Sequence, residues 1–464
     1  MLFSSFSFLF WFLPVVLLCY FAPALLPFFK HKDTLVYRNA VLLVASLFFY
    51  AWGEPRFVLL MILTAGANAL LALAIPHARH PSLPFFGAVA LDLALLFFFK
   101  YPPLLGLAPR ALPLGISFYT FQAISYVADV YTGRVPPAKN PFHVGLYISL
   151  FPQLVAGPIV RYTDIAHALC ERTHTLRDVA AGTQRFVVGL SKKVLLANTA
   201  GALFASFGIG GTTTAVGAWL ALLGFTFQIY FDFSGYSDMA VGLGRIFGFP
   251  FPENFNYPYI ARSVSDFWRR WHITLSSFFR EYVYFPLGGS RHGKWRTVRN
   301  LLIVWALTGL WHGAAWNFLL WGLYYFLLLV AEKFLLGRPL AALPYAMALP
   351  LTFLCTMGGW LLFLFDGSTE ALRLLHLPRF LATLFGGGAG GLSLGADLYD
   401  RVRHRPLLLL CALGATPLPR RLGSRLFAKK GGDGCRIFLC IACFVLSVAA
   451  LCDASFNPFL YFRF

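Results

Sequence analysis

Residues 308–322 read TGLWHGAAWNFLLWG. The stretch carries no formal charge and one imidazole, His312, between Trp311 and Gly313, with Trp316 and Asn317 just beyond. On either side lie apolar runs, at 298–311 and 314–336. Such runs approach the roughly 20 residues needed to cross about 30 Å of hydrocarbon as a helix. The stretch therefore reads as the meeting of two membrane helices, with a histidine placed where only apolar side chains come cheaply.

Runs of the same kind recur at 6–29, 36–53, 57–76, 84–101, 111–131, 186–208, 213–233, 344–365 and 436–452. The count is about eleven spans. Shorter or broken runs at 142–159 and 406–418 suit re-entrant or interfacial segments. The first run lacks the basic head and small-residue cleavage site of a signal peptide and is expected to stay as the first helix. The fold class is thus all-α, a polytopic membrane bundle forming one domain over 1–464. Its motif-rich core lies at about 110–330, and 386–434, bracketed by GGGAGG and KKGGDG, reads as an exposed Gly-rich basic loop region.

Composition agrees. Hydrophobic residues make up 58% of the 464 and charged ones 12%, against about 25% charged in a soluble globule. The net charge of +19 comes largely from short basic runs between apolar segments, such as Arg291 to Arg299 and Arg420 to Lys430. That placement fits cytoplasmic loops and anionic lipid headgroups as partners, and argues against nucleic acid. Cys440 and Cys443 form a C-x-x-C inside an apolar run with no histidine near, which reads as small hydrophobes on a helix and not a metal site.

One charged segment interrupts the pattern: SVSDFWRRWHITLSSFFREYVYFPLGG, 263–289. Ser263 and Asp266 give an S-x-x-D helix start. Projected as one helix, Phe267, Trp268, Trp271, Leu275, Phe278, Phe279 and Tyr282 share an arc of about 120°. Asp266, Arg269, Arg270, Ser276, Ser277, Arg280 and Glu281 take the other side, and His272 sits at the boundary. Two readings stand: an interfacial helix with arginines on headgroups, or a helix lining a polar cavity in the bundle.

Of eleven histidines, only His272 and His312 sit in strongly apolar or aromatic surroundings, and each follows a tryptophan. An intramembrane imidazole needs partners for a donor and an acceptor, or a chemical task. Near neutral pH it can take a proton from a hydroxyl. No H-E-x-x-H occurs, and no cysteine lies near either histidine in the chain. The chemistry that fits is a histidine base acting on an acceptor hydroxyl with an activated acyl donor. Gly309 and Gly313 leave room for the donor or a neighbouring helix, Trp311 and Trp316 could wall the site, and Asn317 could supply a hydrogen bond. In YFDFSGYSDMA, Asp232, Ser234, Ser237 and Asp238 read either as a bonded helix junction around Gly235 or as cavity lining.

DFWRRWHITLSSFFREYVYFPLGG followed by LTGLWHGAAWNFLLWG resembles the membrane-bound O-acyltransferase family, and more closely its alginate O-acetyltransferase branch. The likeness continues in SFLFWFLP (7–14), SLFFYAWGEP (46–55), LPLGISFYTFQAISYVADVY (112–131), LFPQLVAGPIVRY (150–162), YFDFSGYSDMAVG (230–242), PENFNYPYIARS (252–263) and the closing NPFLYFRF. It implies a multi-helix bundle around a central tunnel. His312 matches the family's invariant catalytic histidine, and His272 a position that is histidine or asparagine. The resemblance further implies a multi-pass protein of the bacterial inner membrane with no bound cofactor. A cytoplasmic thioester, acetyl-CoA, would donate the acyl group. A periplasmic or extracellular acetyltransferase partner and polysaccharide-synthesis machinery would receive it. Alginate, cellulose, another exopolysaccharide and peptidoglycan all remain open as acceptor. One departure is Tyr325, near which the resemblance leads us to expect a histidine.

On this reading His312 and His272 are the catalytic pair. Trp311, Asn317, Trp268, Trp271, Asp232 and Ser234 would line the substrate site, and Arg269, Arg270 and Arg280 would attract the donor's phosphates. The rival is a transporter or flippase for a lipid-linked sugar with proton-coupling histidines, which would favour an internal repeat; none is apparent.

Overall fold

The computed structural model describes residues 1–25, 31–108, 110–155, 157–207, 214–388, 390–392, 395–428 and 431–453. The NPFLYFRF segment lies outside them. Every regular element among the described residues is helical. The chain divides into two compact units: Met1–Leu190 with Tyr236–Glu253, and Ser191–Gly235 with Asn254–Phe464. A single bundle was the sequence expectation. The helix Ala215–Ile246 gives its first part to the second unit and its end to the first.

Among the described residues eight helices are long and apolar enough to cross a bilayer: Thr34–Gly53, Val58–His77, Ser82–Lys100, Leu176–Phe207, Ala215–Ile246, Trp316–Ala342, Tyr345–Leu364 and Gly432–Asp453. Three of the eleven expected runs fall short. Ser7–Phe21 is a shorter apolar helix, Ile116–Tyr131 has 16 residues, and Lys294–His312 opens with a basic turn. The broken run at 142–159 is two short helices, Pro141–Ser149 and Phe151–Leu154.

In the first unit the membrane environment inverts the usual rule of burial. The helix Val58–Ala74 buries Met61, Thr64, Ala65, Asn68, Ala69 and Ala72, a stripe at helical spacing made mostly of small or polar residues. Its Leu59, Ile62, Leu63 and Leu70 point outward. With lipid as solvent, leucine gains little by burial, and close packing of small residues decides which face turns inward. Asn68 Nδ2 donates to Asp92 Oδ1 at 2.9 Å, satisfying a buried polar pair across two helices.

The second unit is built around a close crossing. A Cβ on Gly309 would lie 2.4 Å from the Phe318 carbonyl oxygen, and one on Gly322 would lie 2.3 Å from that of Trp305. Only glycine at both positions lets the helices Lys294–His312 and Trp316–Ala331 approach so nearly. The space expected beside Gly309 therefore goes to the neighbouring helix, and Gly313 likewise faces the Phe318 ring. The segment 386–434, expected as a loop region, carries two helices, Gly395–Gly414 and Leu418–Phe427. The glycines sit at its margins, while the apolar run Leu407–Leu413 between them has the length and composition of a helix.

Candidate active site

Ser263 caps the helix Val264–Arg270, its Oγ accepting from the Asp266 N–H at 3.2 Å. The Glu332 carboxylate reinforces that end, accepting from the Val264 N–H at 2.9 Å. An anion at a helix start meets both unpaired N–H groups and the positive end of the dipole. The expected single helix does not continue. Trp271 is extended, His272 adopts φ 43° and ψ 54°, and a new helix starts at Ile273 and ends at Phe279. The apolar arc survives the break: Phe267, Trp268, Trp271, Leu275, Phe278 and Phe279 are all buried.

Left-handed backbone at a non-glycine residue costs on the order of 1–3 kcal/mol and is found where surrounding contacts over-determine it. Here Asn254 supplies those contacts. Its carbonyl accepts from the Ile273 N–H at 3.0 Å. Its side-chain Oδ1 receives the Thr274 hydroxyl at 2.8 Å and the Thr274 N–H at 3.3 Å. A backbone N–H can only donate, so the Asn254 atom facing it is the oxygen. His272 Nδ1, 3.1 Å from that same oxygen, must then carry the proton, and Nε2 carries the lone pair. His272 is fully buried, with Phe233 edge-on at 4.7 Å.

His312 is the last residue of its helix and is 4% exposed. Aromatic edges hold it: Trp321 at 4.9 Å and 80°, Phe363 at 5.3 Å and 83°, and Trp311 at 4.9 Å. The Trp311 indole also lies 6.0 Å from the His272 ring, so the two imidazoles, remote in the chain, flank one tryptophan. Asn317 donates from Nδ2 to the Phe363 carbonyl at 3.3 Å. Its Oδ1, with Nε1 of Trp268 and of Trp321, is buried and finds no hydrogen-bond partner in the structure. Buried polar atoms are nearly always paired, so these three are able to bond a polar group that reaches them.

The remaining expected site residues divide. Trp268 packs on Trp305 at 4.7 Å and Tyr325 at 4.9 Å, and Trp271 on Trp360 at 4.6 Å, all buried. Tyr325, in the place of the expected histidine, is itself fully buried in this aromatic cluster. Trp316 is 66% exposed and does not wall the site. Arg269 and Arg280 are exposed, Arg280 facing Glu281 at 3.9 Å and donating to the Ser277 hydroxyl at 3.3 Å, and Arg270 is engaged by Asp266 at 2.9 Å and the Asn256 carbonyl. Asp232 forms a buried ion pair with Lys193 at 2.8 Å, and Ser234 is buried on the same helix. In the first unit Asp238 meets Arg185 at 2.7 Å. The two aspartates of YFDFSGYSDMA therefore serve ion pairs. Reading the residue types alone missed Asn254, Trp321 and Phe363. Asn254 lies inside the PENFNYPYIARS segment, which was the available signal.

The membrane-bound O-acyltransferase family profile matches residues 136–341. A probable alginate O-acetylase of Pseudomonas putida is 37% identical over 505 aligned positions, covering 100% of both chains. A peptidoglycan O-acetyltransferase of Helicobacter pylori is 38% identical, over 70% of this chain and 68% of its own. A teichoic acid D-alanyltransferase of Bacillus subtilis is 31% identical, over 54% and 68%. These relatives transfer acyl groups and give no support to the transporter reading. Two buried histidines about one indole, in a multi-pass helical chain alike from end to end to a bacterial O-acetylase, make this an O-acyltransferase that belongs to the membrane-bound O-acyltransferase family.

Proposed function

We propose that the protein moves an acetyl group from cytoplasmic acetyl-CoA across the bacterial inner membrane, for O-acetylation of an exported or cell-surface polysaccharide. The observation that carries the catalytic assignment is the convergence of His272 and His312 on Trp311. The polysaccharide follows from the relatives, whose names specify alginate and peptidoglycan.

His312 takes the proton of the acceptor hydroxyl as its oxygen attacks the thioester carbonyl. A C–O bond forms, and the carbonyl oxygen becomes a tetrahedral oxyanion. Indole N–H groups of Trp268 and Trp321 are donors of the right kind to stabilise it. Collapse breaks the C–S bond, and the departing thiolate recovers the proton from His312. His272, fixed with Nδ1 on Asn254, offers Nε2 as an acceptor that orients the nucleophile. Trp311 and Trp271 pack the site against water, and Asn317 adds an acceptor. Asp232 and Ser234 border the lining, with Asp232 neutralised by Lys193. At the cytoplasmic side the exposed Arg269 and Arg280 attract the phosphates of coenzyme A, with Arg270 held beside them by Asp266. An acetyltransferase partner at the outer face and the polymer-synthesis machinery complete the route.

The test is label transfer. Membranes containing the protein receive radiolabelled acetyl-CoA with alginate or peptidoglycan as acceptor. Label should pass to one polymer and not in the His312→Ala variant. Equal transfer by that variant, at equal protein level, overturns the assignment.

A further inference from the structure

In the first unit two guanidinium groups meet with no acid between them. Arg172 is 5% exposed. Its Nη1 donates to Asn39 Oδ1 at 2.8 Å and to the Ala168 carbonyl at 2.9 Å, and its plane rests on Phe249 at 4.4 Å. Its Nε and Nη2 are buried and have no hydrogen-bond partner in the structure. Arg38 donates from Nη1 to His174 Nδ1 at 3.1 Å, and its own Nε is likewise buried and unpartnered. Because arginine only donates, His174 Nδ1 is the acceptor, and its Nε2–H faces the Tyr20 hydroxyl at 2.8 Å and the Phe247 carbonyl at 3.2 Å. A Cβ on Gly248, at φ +80°, would press on His174 Nε2 at 3.1 Å and Arg172 Cδ at 3.2 Å. The group is thus closely built.

The nearby acids are engaged elsewhere. Asp178 pairs with Arg245 at 3.0 Å, and Glu171 faces His167 at 3.6 Å. Among the described residues none forms an ion pair with Arg38 or Arg172. A buried and a half-buried guanidinium, with three donor nitrogens that have no hydrogen-bond partner, are complementary to a multivalent oxyanion.

The same two helices form a groove of about 710 Å³, lined by Trp11, Val15, Cys19, Tyr37, Val41 and Phe48 among others, almost wholly apolar. Cys19 and Tyr37 mark one end of it, and the next residues along each helix, Tyr20 and Arg38, belong to the basic group. From Tyr37 to Trp52 the helix rises about 22 Å, more than the depth of one leaflet. We propose that the first unit binds an anionic phospholipid, its phosphate on Arg38 and Arg172 beside His174, and one acyl chain in the groove between the helices Leu13–Phe21 and His31–Gly53. A soluble phosphate would satisfy the guanidinium groups but leave the groove unexplained. A zwitterionic lipid would fill the groove but bring its own cation to a basic site.

The test uses the full chain in detergent. Thermal unfolding and native mass spectrometry follow added phosphatidylglycerol, phosphatidylcholine or inorganic phosphate. Phosphatidylglycerol should be retained about tenfold more than phosphatidylcholine, about 1.4 kcal/mol, and should raise the unfolding temperature. Arg38→Gln and Arg172→Gln should each erase that preference. Arg38 is half-buried, so its variant carries the test if Arg172→Gln fails to fold. Val41→Trp should reduce retention of both lipids by blocking the groove. Equal retention of the two lipids by the wild type overturns the proposal. So does a charge preference that survives in Arg38→Gln, or a stabilisation that inorganic phosphate reproduces in full.

Discussion

His272 and His312 share one tryptophan neighbour but sit in different settings, one in a strained turn and one at the end of a helix. His272 is fixed by hydrogen bonds: Asn254 sets its tautomer, and the strained turn aims it. His312 stands at the end of a helix, against the edges of Trp321 and Phe363. A hydrogen-bonded imidazole has a defined proton but little freedom to change it. The roles proposed above for the two, base for His312 and guide for His272, make this pair the place to test first.

The largest effect should therefore come from His312→Ala, with acetyl transfer falling about 10³-fold or more in a labelled-donor assay while the protein remains folded. Next, His272→Gly removes the imidazole yet suits the left-handed backbone, so it should fold well and lose about 10²-fold in rate. Recovery of normal rate in that variant would reduce His272 to a turn residue. Asn254→Ala acts one step further out and should lower kcat about tenfold with little change in KM. Asn254→Asp should restore much of the rate and move the acid limb of the pH profile, because a carboxylate on Nδ1 makes Nε2 more basic.

Away from the chemistry, Gly322→Ala forces a methyl against the Trp305 carbonyl and should cost about 1–3 kcal/mol, read as a lower unfolding temperature. The smallest effect belongs to a third histidine. Burial, and then the charge of Arg38, push His174 down to about 4, with Arg172 adding to the depression, and Asp178 and the Phe247 carbonyl opposing it. Tyr20 also faces the ring. A histidine kept neutral when folded takes up its proton on unfolding. Its contribution is thus complete above about 6.5 and is lost as pH falls towards about 4. His174→Gln should flatten stability across that window, and bound anionic lipid, whose charge favours the protonated ring, should make the loss smaller.

Much of this was legible in the residues. The apolar runs mark the helices, Ser263 and Asp266 mark a true helix start, and the aromatic arc of 263–289 is the buried face. The break at His272 was not, because projection at a fixed angle presumes an unbroken helix and RRWHIT contains no glycine to announce left-handed backbone. Asp232 read either as part of a bonded junction or as cavity lining, because its partner, Lys193, is distant in the chain and only the fold joins them. The helices within 386–434 were hidden by glycine-rich margins that dominate the local composition. Arg269, Arg270 and Arg280 look equivalent in the sequence, yet Asp266 singles out Arg270.

The interrupted segment also bears on how the protein is made. Val264–Arg270 and Ile273–Phe279 are each 7 residues long. Helices that short are not stable in isolation, and neither is apolar enough to be inserted as a span. They take shape only once Asn254, Glu332 and the Trp305–Trp321 surface are in place to receive them. The turn at His272 therefore forms after the long helices that receive it, as a late step of folding.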